Sequence, residues 1–391
     1  MGIVVTGIGM VSALGLGVEQ AIGKMRQGRS GISSYPVVLT TGNRLPVGEL
    51  PMTNGELHAL AGIPETEHLS RTALLGILAT REALSDAHVD GSKRIGLVSA
   101  TSVGGMDLTE HFFVDFLRNP QSGRLRNVRM HDCAASTDAI ARYAGINGYV
   151  TTVSTACSSA ANAIMMGVKL LKHRLVDCVV AGGCDALSTF TLNGFKSLMI
   201  LDEQPCRPFD EHRAGLNLGE GAGYVVMQRE EEVDAYYGHL VGYANRNDAY
   251  HQTASSATGD GAYLAMREAL AMTGLSPADV GYINVHGTGT ANNDAAESAA
   301  LIRLFGEKMP PFSSTKGFTG HTLAAAGGIE AVLSVLSVKR GYVYPNIRFS
   351  TPITGYGLVP QCDFGEYNNT GVVLTNSFGF GGNCSALVFM R

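Results

Sequence analysis

Val153-Ser154-Thr155-Ala156-Cys157-Ser158-Ser159-Ala160 joins a β-branched run to a stretch of small and apolar residues, with a thiol at the junction. Residues 149–154 read as a strand and residues 158–173 as an apolar helix. A helix N-terminus offers unpaired N–H groups and partial positive charge. Both favour thiolate over thiol, so the junction predicts a lowered pKa for Cys157 and a nucleophile toward acyl carbonyls. The competing reading is a buried, inert cysteine, the usual state of a free thiol.

Outward from that junction, short β-branched runs alternate with Ala/Leu-rich segments, the pattern of a layered α/β protein. Strands are predicted at 3–7, 95–100, 178–182, 223–227, 240–244, 282–285, 372–376 and 385–390, besides 149–154. Helices are predicted at 70–87, 261–273, 294–305 and 323–340, besides 158–173.

A faint repeat runs through the chain. Arg81-Glu82-Ala83-Leu84 recurs as Arg267-Glu268-Ala269-Leu270, and Leu84 to Ala100 spans the same 16 positions as Leu270 to His286. In each copy a helix leads to a strand and then a Gly-rich loop. The repeat predicts two duplicated halves, 1–235 and 236–391, meeting at the charged stretch 229–238. Duplicated α/β units bring their catalytic loops together at one end of the strands, where open sheets bind ligands.

Composition narrows the function. Of 391 residues, 45% are hydrophobic and only 16% charged, which favours a large interior or an extensive subunit interface over disorder. A formal net charge of −5 argues against nucleic acid as the main partner. The seven cysteines form no C-x-x-C pair, so neither a disulfide framework nor a metal site is expected, and reduced thiols in the cytoplasm are. No uninterrupted apolar run is long enough for a membrane span.

Three further segments carry candidate chemistry. His286 closes an apolar strand and precedes Gly287-Thr288-Gly289-Thr290, a loop whose backbone can approach a substrate. Ser314-Thr315-Lys316-Gly317-Phe318-Thr319-Gly320-His321 gathers a lysine, a histidine and two glycines before a helix. Asn376-Ser377-Phe378-Gly379-Phe380-Gly381-Gly382-Asn383 sets aromatics among glycines between two strands. Taken singly, a core histidine, a solvated loop and a hairpin with aromatic packing explain these equally well. No dinucleotide-binding glycine loop stands at a strand–helix junction.

Taken together, the segments resemble the β-ketoacyl-acyl-carrier-protein synthases, the Cys-His-His class of thiolase-fold condensing enzymes. The resemblance opens at Val5-Thr6-Gly7-Ile8-Gly9-Met10-Val11-Ser12 and takes in Arg207-Pro208-Phe209-Asp210 and Gly219-Glu220-Gly221-Ala222-Gly223. It continues through His286-Gly287-Thr288-Gly289-Thr290 and Lys316 with Gly320-His321, and closes at Phe378-Gly379-Phe380-Gly381-Gly382. It implies a five-layer αβαβα thiolase-like fold, usually dimeric. It also implies a decarboxylative Claisen condensation in fatty-acid, polyene or polyketide synthesis. The acyl groups would be carried on the phosphopantetheine arm of acyl carrier protein, with no other cofactor.

The resemblance further implies roles. Cys157 takes the acyl group, and His286 and His321 serve the malonyl thioester. Lys316 holds the polar network near His321, and Glu330 is the buried acid supporting it. Backbone N–H groups of Cys157 and Phe380 form the oxyanion hole. Phe380, between Gly379 and Gly381, is the gating aromatic, and Val103 and Phe195 shape the acyl pocket. The partners implied are acyl carrier protein and a second subunit, in a homodimer or a heterodimer with a related synthase-like chain. Asn383-Cys384 stands where the family normally has Thr-Asn after the paired glycines, which puts the fine geometry of the gating loop in question. Two other readings compete: a non-catalytic chain-length-factor-like subunit, which would lack the nucleophile, and a coenzyme-A-dependent thiolase, which would need a second reactive cysteine in a C-terminal glycine loop.

Overall fold

The computed structural model describes residues 2–39 and 45–391. The first half of the chain holds strands β1 (Ile3–Ser12), β2 (Gly15–Leu16), β3 (Ile32–Ser33), β4 (Val47–Gly48), β5 (Ile95–Ala100), β6 (Val150–Val153), β7 (Cys178–Asp185) and β8 (Gly221–Arg229). Its helices are α1 (Val18–Arg26), α2 (Asn54–Ala61), α3 (Arg71–Asp86), α4 (Met106–Arg118), α5 (Cys133–Ala144), α6 (Ser159–Lys172) and α7 (Thr189–Ser197). The remainder supplies β9 (Gly238–Asn247), β10 (Tyr282–Asn284), β11 (Phe312–Ser313), β12 (Tyr342–Val343), β13 (Gly365–Glu366), β14 (Val372–Gly379) and β15 (Asn383–Met390). Its helices are α8 (Asp260–Ala271), α9 (Ala291–Phe305), α10 (Lys316–Thr319) and α11 (Ala326–Arg340).

Ten of these strands lie side by side in the order β11-β10-β14-β15-β9-β1-β8-β7-β5-β6. Among the described residues the strands of the β6-β5-β7-β8-β1 portion pair with those of the β9-β15-β14-β10-β11 portion through the short antiparallel pairing of Val4 with His239 and Val5 with Gly238. Strands β5 and β7 pair in parallel and are buried along their whole length, so they read as continuous apolar runs without polar alternation.

The layers follow from which faces are apolar. One core lies between α3 and the first portion, through Leu74, Ile77, Val180 and Val226. A central core joins both portions to α6 and α11, through Ile164, Val168, Val332 and Leu336. A third packs α8 and α9 on the second portion, through Met266, Leu301, Ile283 and Val388. The result is helix, sheet, helix, sheet, helix, the five layers anticipated. The central helices are rich in small residues so that backbone can approach backbone. A side chain at Gly328 of α11 would lie 2.2 Å from the Gly223 carbonyl oxygen of β8.

All nine predicted strands and all five predicted helices are present, with ends shifted by a few residues. Two differences matter at the site. The helix after Cys157 begins at Ser159, not at the thiol, and Lys316 to Thr319 form a short helix where a loop was expected.

Candidate active site

Cys157 sits on a turn between β6 and α6. Ala156, immediately before it, adopts φ 54°, a left-handed conformation that a side chain resists. Hydroxyls knit the turn: Ser158 Oγ donates to the Thr155 carbonyl at 2.8 Å, and the Thr155 N–H donates to Ser159 Oγ at 2.7 Å. Only 5% of Cys157 is exposed. Burial pushes its thiol up to about 12, against the pull of nearby Lys316 and of the Phe380 and Cys157 N–H groups. The expected lowering is therefore overturned for the resting protein. Ser159 opens the helix two residues later, and the cost of burying a thiolate outweighs the helix terminus. The N–H groups of Phe380 and Cys157 lie beside the sulfur, where they favour its thiolate against burial.

His286 leaves the end of β10. Its N–H donates to Glu297 Oε1 at 2.9 Å and the Gly287 N–H to Glu297 Oε2 at 2.8 Å. Asp294, also on α9, receives the Gly289 N–H. Two buried carboxylates thus hold the Gly-Thr loop. Sequence reading assigned neither of them a role, because both sit inside an ordinary helix and their partners lie on another element. His321 follows α10. Its N–H donates to the Asn217 carbonyl at 2.7 Å, and its own carbonyl receives the Gly219 N–H at 2.9 Å.

The imidazoles of His286 and His321 stand edge to face with centroids 5.3 Å apart. Burial, with the Lys316 charge next, drives both well below the ordinary histidine range, so both are neutral. Lys316 is buried and pairs with Glu330 in a close contact. Its ammonium also donates to the His286 carbonyl at 2.6 Å and lies 3.3 Å from His286 Nδ1. An ammonium has only protons to offer, so Nδ1 is the acceptor and the His286 proton resides on Nε2. Lys316 therefore bonds His286 directly, and its charge acts on His321 as well, beside which the resemblance places it. Burial raises the Glu330 carboxyl, and Ser377 Oγ donates to its second oxygen at 3.5 Å.

Two cavities meet at the thiol. One, of about 270 Å³, is lined by Cys157, His286, His321, Phe378 and Phe380 and opens past Gln252 and Asn292. The other, of about 520 Å³, is lined by Cys157, Val103, Phe195, Leu323 and Phe380 and runs toward exposed Phe190 and Leu198. Val103 and Phe195 both line the second cavity, and Phe195 lines the first as well. Phe380 begins a tight turn, residues Phe380–Gly382, at the tip of the β14–β15 hairpin, with Gly381 and Gly382 both in the left-handed region. That tip is strapped by residues 247–252: the Gly381 N–H donates to the Gln252 carbonyl at 2.7 Å, Asn247 Nδ2 to the Gly381 carbonyl at 2.8 Å, and the Asp248 N–H to the Gly382 carbonyl at 2.8 Å. The sequence held no sign of this strap, since most of its bonds use backbone. Asn383, where the family pattern departs, reaches back to the Phe380 carbonyl at 3.4 Å.

A thiol, two neutral N–H-donating imidazoles and paired backbone donors around one cavity suit acyl transfer and stabilisation of a developing enolate. Among the described residues no group of His, Cys, Asp and Glu is arranged to hold a metal ion, and no helix is long and apolar enough to cross a membrane.

Comparison with known proteins agrees with this chemistry. Residues 1–233 match the family model for the β-ketoacyl synthase N-terminal domain and residues 237–350 that for the C-terminal domain. A 3-oxoacyl-[acyl-carrier-protein] synthase 2 of Staphylococcus aureus is 33% identical over 413 aligned positions, covering 100% of this chain and 98% of that protein. The structure described as the ishigamide ketosynthase/chain length factor superposes with TM-score 0.92 at 28% identity, covering 100% of this chain and 99% of the other. A type II PKS acyl-carrier protein in complex with its ketosynthase bound to the hexaketide gives TM-score 0.86 at 26% identity, with 100% and 99% covered.

Proposed function

The chain belongs to the β-ketoacyl synthase family, and from that premise we propose that it condenses an enzyme-bound acyl group with malonyl-acyl carrier protein, releasing β-ketoacyl-acyl carrier protein. The carrier protein is the partner that the relatives' names point to, as is a second, related subunit completing a homodimer or heterodimer. The proposal extends to a cytoplasmic enzyme that uses no cofactor beyond the carrier's phosphopantetheine. It reads the chain as two thiolase-like halves, 1–235 and 236–391. The recurrence of Arg-Glu-Ala-Leu in α3 and α8, each on an outer face of the sheet, supports that division.

In this reading Cys157 sulfur attacks the acyl thioester carbonyl. The oxyanion draws on the Cys157 and Phe380 N–H groups, and the phosphopantetheine sulfur leaves with the thiol's proton. The malonyl thioester then occupies the cavity of about 270 Å³ with its carbonyl oxygen toward His286 and His321. Its carboxylate leaves as CO₂, and the electron pair of the broken C–C bond becomes an enolate held by the two imidazole N–H groups. The enolate carbon attacks the Cys157 thioester carbonyl, and the cysteine sulfur leaves to regain a proton.

The observation that carries the reading is the convergence of Cys157, His286 and His321 on one cavity. A non-catalytic subunit has no use for that set, and a thiolase would need a second thiol free to react. Cys384 lines the same cavity, but it lacks the Lys316 charge and the backbone N–H groups that oppose burial at Cys157, and nearby Asp248 and Glu297 disfavour its thiolate further. The test is intact mass of enzyme and carrier after incubation with defined acyl- and malonyl-carriers. The expected products are an acyl adduct on Cys157, absent in Cys157→Ala, and a carrier-bound β-ketoacyl chain two carbons longer. An adduct of equal yield on Cys157→Ala would remove the nucleophile assignment.

A further inference from the structure

We propose that Asn162 is a positioning residue that ties the Cys157 turn to the stem of the β14–β15 hairpin and so sets the rate of acyl transfer. The proposal rests on the reading of Cys157 as acyl acceptor. Asn162 lies in the first turn of α6, half-buried, and lines neither of the cavities that meet at the thiol. Its Nδ2 donates to Thr155 Oγ1 at 2.8 Å and lies 3.5 Å from Ser158 Oγ. Those residues flank Ala156 and Cys157, so one amide grips the turn on both sides of the thiol. Its Oδ1 receives a hydrogen bond from Ser385 Oγ at 3.3 Å. Ser385 is fully buried on β15 and itself receives Asn245 Nδ2 at 2.9 Å.

The turn needs such a restraint. A non-glycine residue at φ 54° persists only where its surroundings over-determine it. The location of the other end gives the tie its meaning. Ser385 pairs in register with Ser377, the third pair back from the hairpin tip. Ser377 donates to Glu330, which holds Lys316, which holds His286. The hairpin that carries Phe380 at its tip is therefore braced through opposed serines, one toward the nucleophile turn and one toward the histidines. Loss of Asn162 frees only the first brace. It should impair attack by the thiol while sparing decarboxylation.

The experiment separates those steps. Single-turnover acyl loading of Cys157 is measured for wild type, Asn162→Ala and Asn162→His, with thermal melts. Malonyl-carrier decarboxylation is measured with and without Asn162→Ala in a Cys157→Gln background, where a side-chain amide stands in for the acylated cysteine. Asn162→Ala is expected to slow loading by about tenfold, the equivalent of one well-placed hydrogen bond, and to leave decarboxylation within about twofold. Asn162→His, whose Nδ1 can replace the amide's donor to Thr155 but leaves Ser385 without its acceptor, should recover part of the loss. Ser385→Ala reads the same tie from its far end if Asn162→Ala does not fold, and should slow loading similarly. Loading of Asn162→Ala at the wild-type rate overturns the proposal. So does a parallel fall of loading, decarboxylation and melting temperature without recovery in Asn162→His. Acylation of Cys157→Ala at wild-type yield would instead sink the nucleophile assignment beneath it.

Discussion

Phe195 and Phe380 stack with ring centroids 5.7 Å apart and 18° between their planes. The pair stands where the two cavities meet at Cys157, so Phe380 cannot swing without leaving Phe195. Aromatic pairs of this kind contribute about 0.5–1.5 kcal/mol beyond area burial, small enough to be overcome when an acyl chain arrives. Phe380→Ala should therefore retain its fold and lose discrimination between acyl and malonyl carriers. Competition loading with both carriers, read by intact mass, checks this; unchanged preference would make the stack ordinary packing.

The glycines beside Phe380 divide into two kinds. Gly381 has φ 78°, and a side chain there would meet only Asn383 Nδ2, at an ordinary 3.5 Å, so Gly381→Val strains chiefly the backbone, by roughly 1–2 kcal/mol. Gly379 is extended, but a side chain there would come within 3.0 Å of the Cys157 nitrogen and the Thr155 carbonyl oxygen. Gly381→Val is expected to slow acyl loading selectively, and Gly379→Val to displace the nucleophile turn and suppress loading outright. Loading kinetics beside thermal melts distinguish a stiffened gate from a displaced thiol.

How far the sequence revealed this site depends on which forces are local. Strands such as Ile95–Ala100 were readable because their β-branched runs are buried on both faces. Helix α4 was not, although its apolar residues recur with a helical period: residues 106–118 hold no alanine and are rich in aromatic residues, unlike the Ala/Leu-rich runs read as helices, and Phe113, Val114, Phe116 and Leu117 stay exposed. His286 and His321 were readable from their glycine-rich flanks. Glu297 and the strap at 247–252 were not, because each acts through bonds to backbone outside its own element, about which the flanking residues say nothing. The thiol's protonation was misjudged for a related reason: the helix terminus is written locally, whereas burial of Cys157 is the work of the whole fold.

The neutral histidines set a pH dependence of known sign. Both lie well below the ordinary imidazole range in the folded protein because of burial. The unfolded chain thus binds more protons than the folded one as pH falls below about 6.5. Their contribution to stability is intact above that pH and is lost on acidification, by at most about 1.4 kcal/mol per pH unit for each imidazole. Denaturation midpoints should fall between pH 7.5 and 5.5, and the fall should be smaller in His286→Asn/His321→Asn. Catalytically, His286→Ala or His321→Ala should slow malonyl decarboxylation by roughly 10²–10³ through loss of one preorganised donor, with acyl loading less affected. Equal loss of both rates would assign the pair to nucleophile activation instead.

Lys316 permits a prediction that separates charge from tautomer. Its three protons meet three acceptors: the His286 carbonyl, His286 Nδ1 and Glu330. Lys316→Met leaves Glu330 buried with its countercharge gone, a loss of roughly 3–5 kcal/mol for a broken buried pair. Lys316→Met/Glu330→Met removes both charges and should regain most of that stability, since apolar replacements of buried pairs are often neutral. Activity should not return with it. Without an ammonium at Nδ1, nothing holds the His286 proton on Nε2, and the ring populates the form whose Nε2 is a lone pair facing the enolate. Decarboxylation by the double variant should therefore stay depressed near the level of His286→Ala while its melting temperature approaches that of wild type. Nitrogen chemical shifts of His286 in the two proteins report the tautomer directly. A double variant that is stable, decarboxylates at the wild-type rate and keeps its proton on Nε2 would show that the loop held by Glu297 fixes the ring without the lysine.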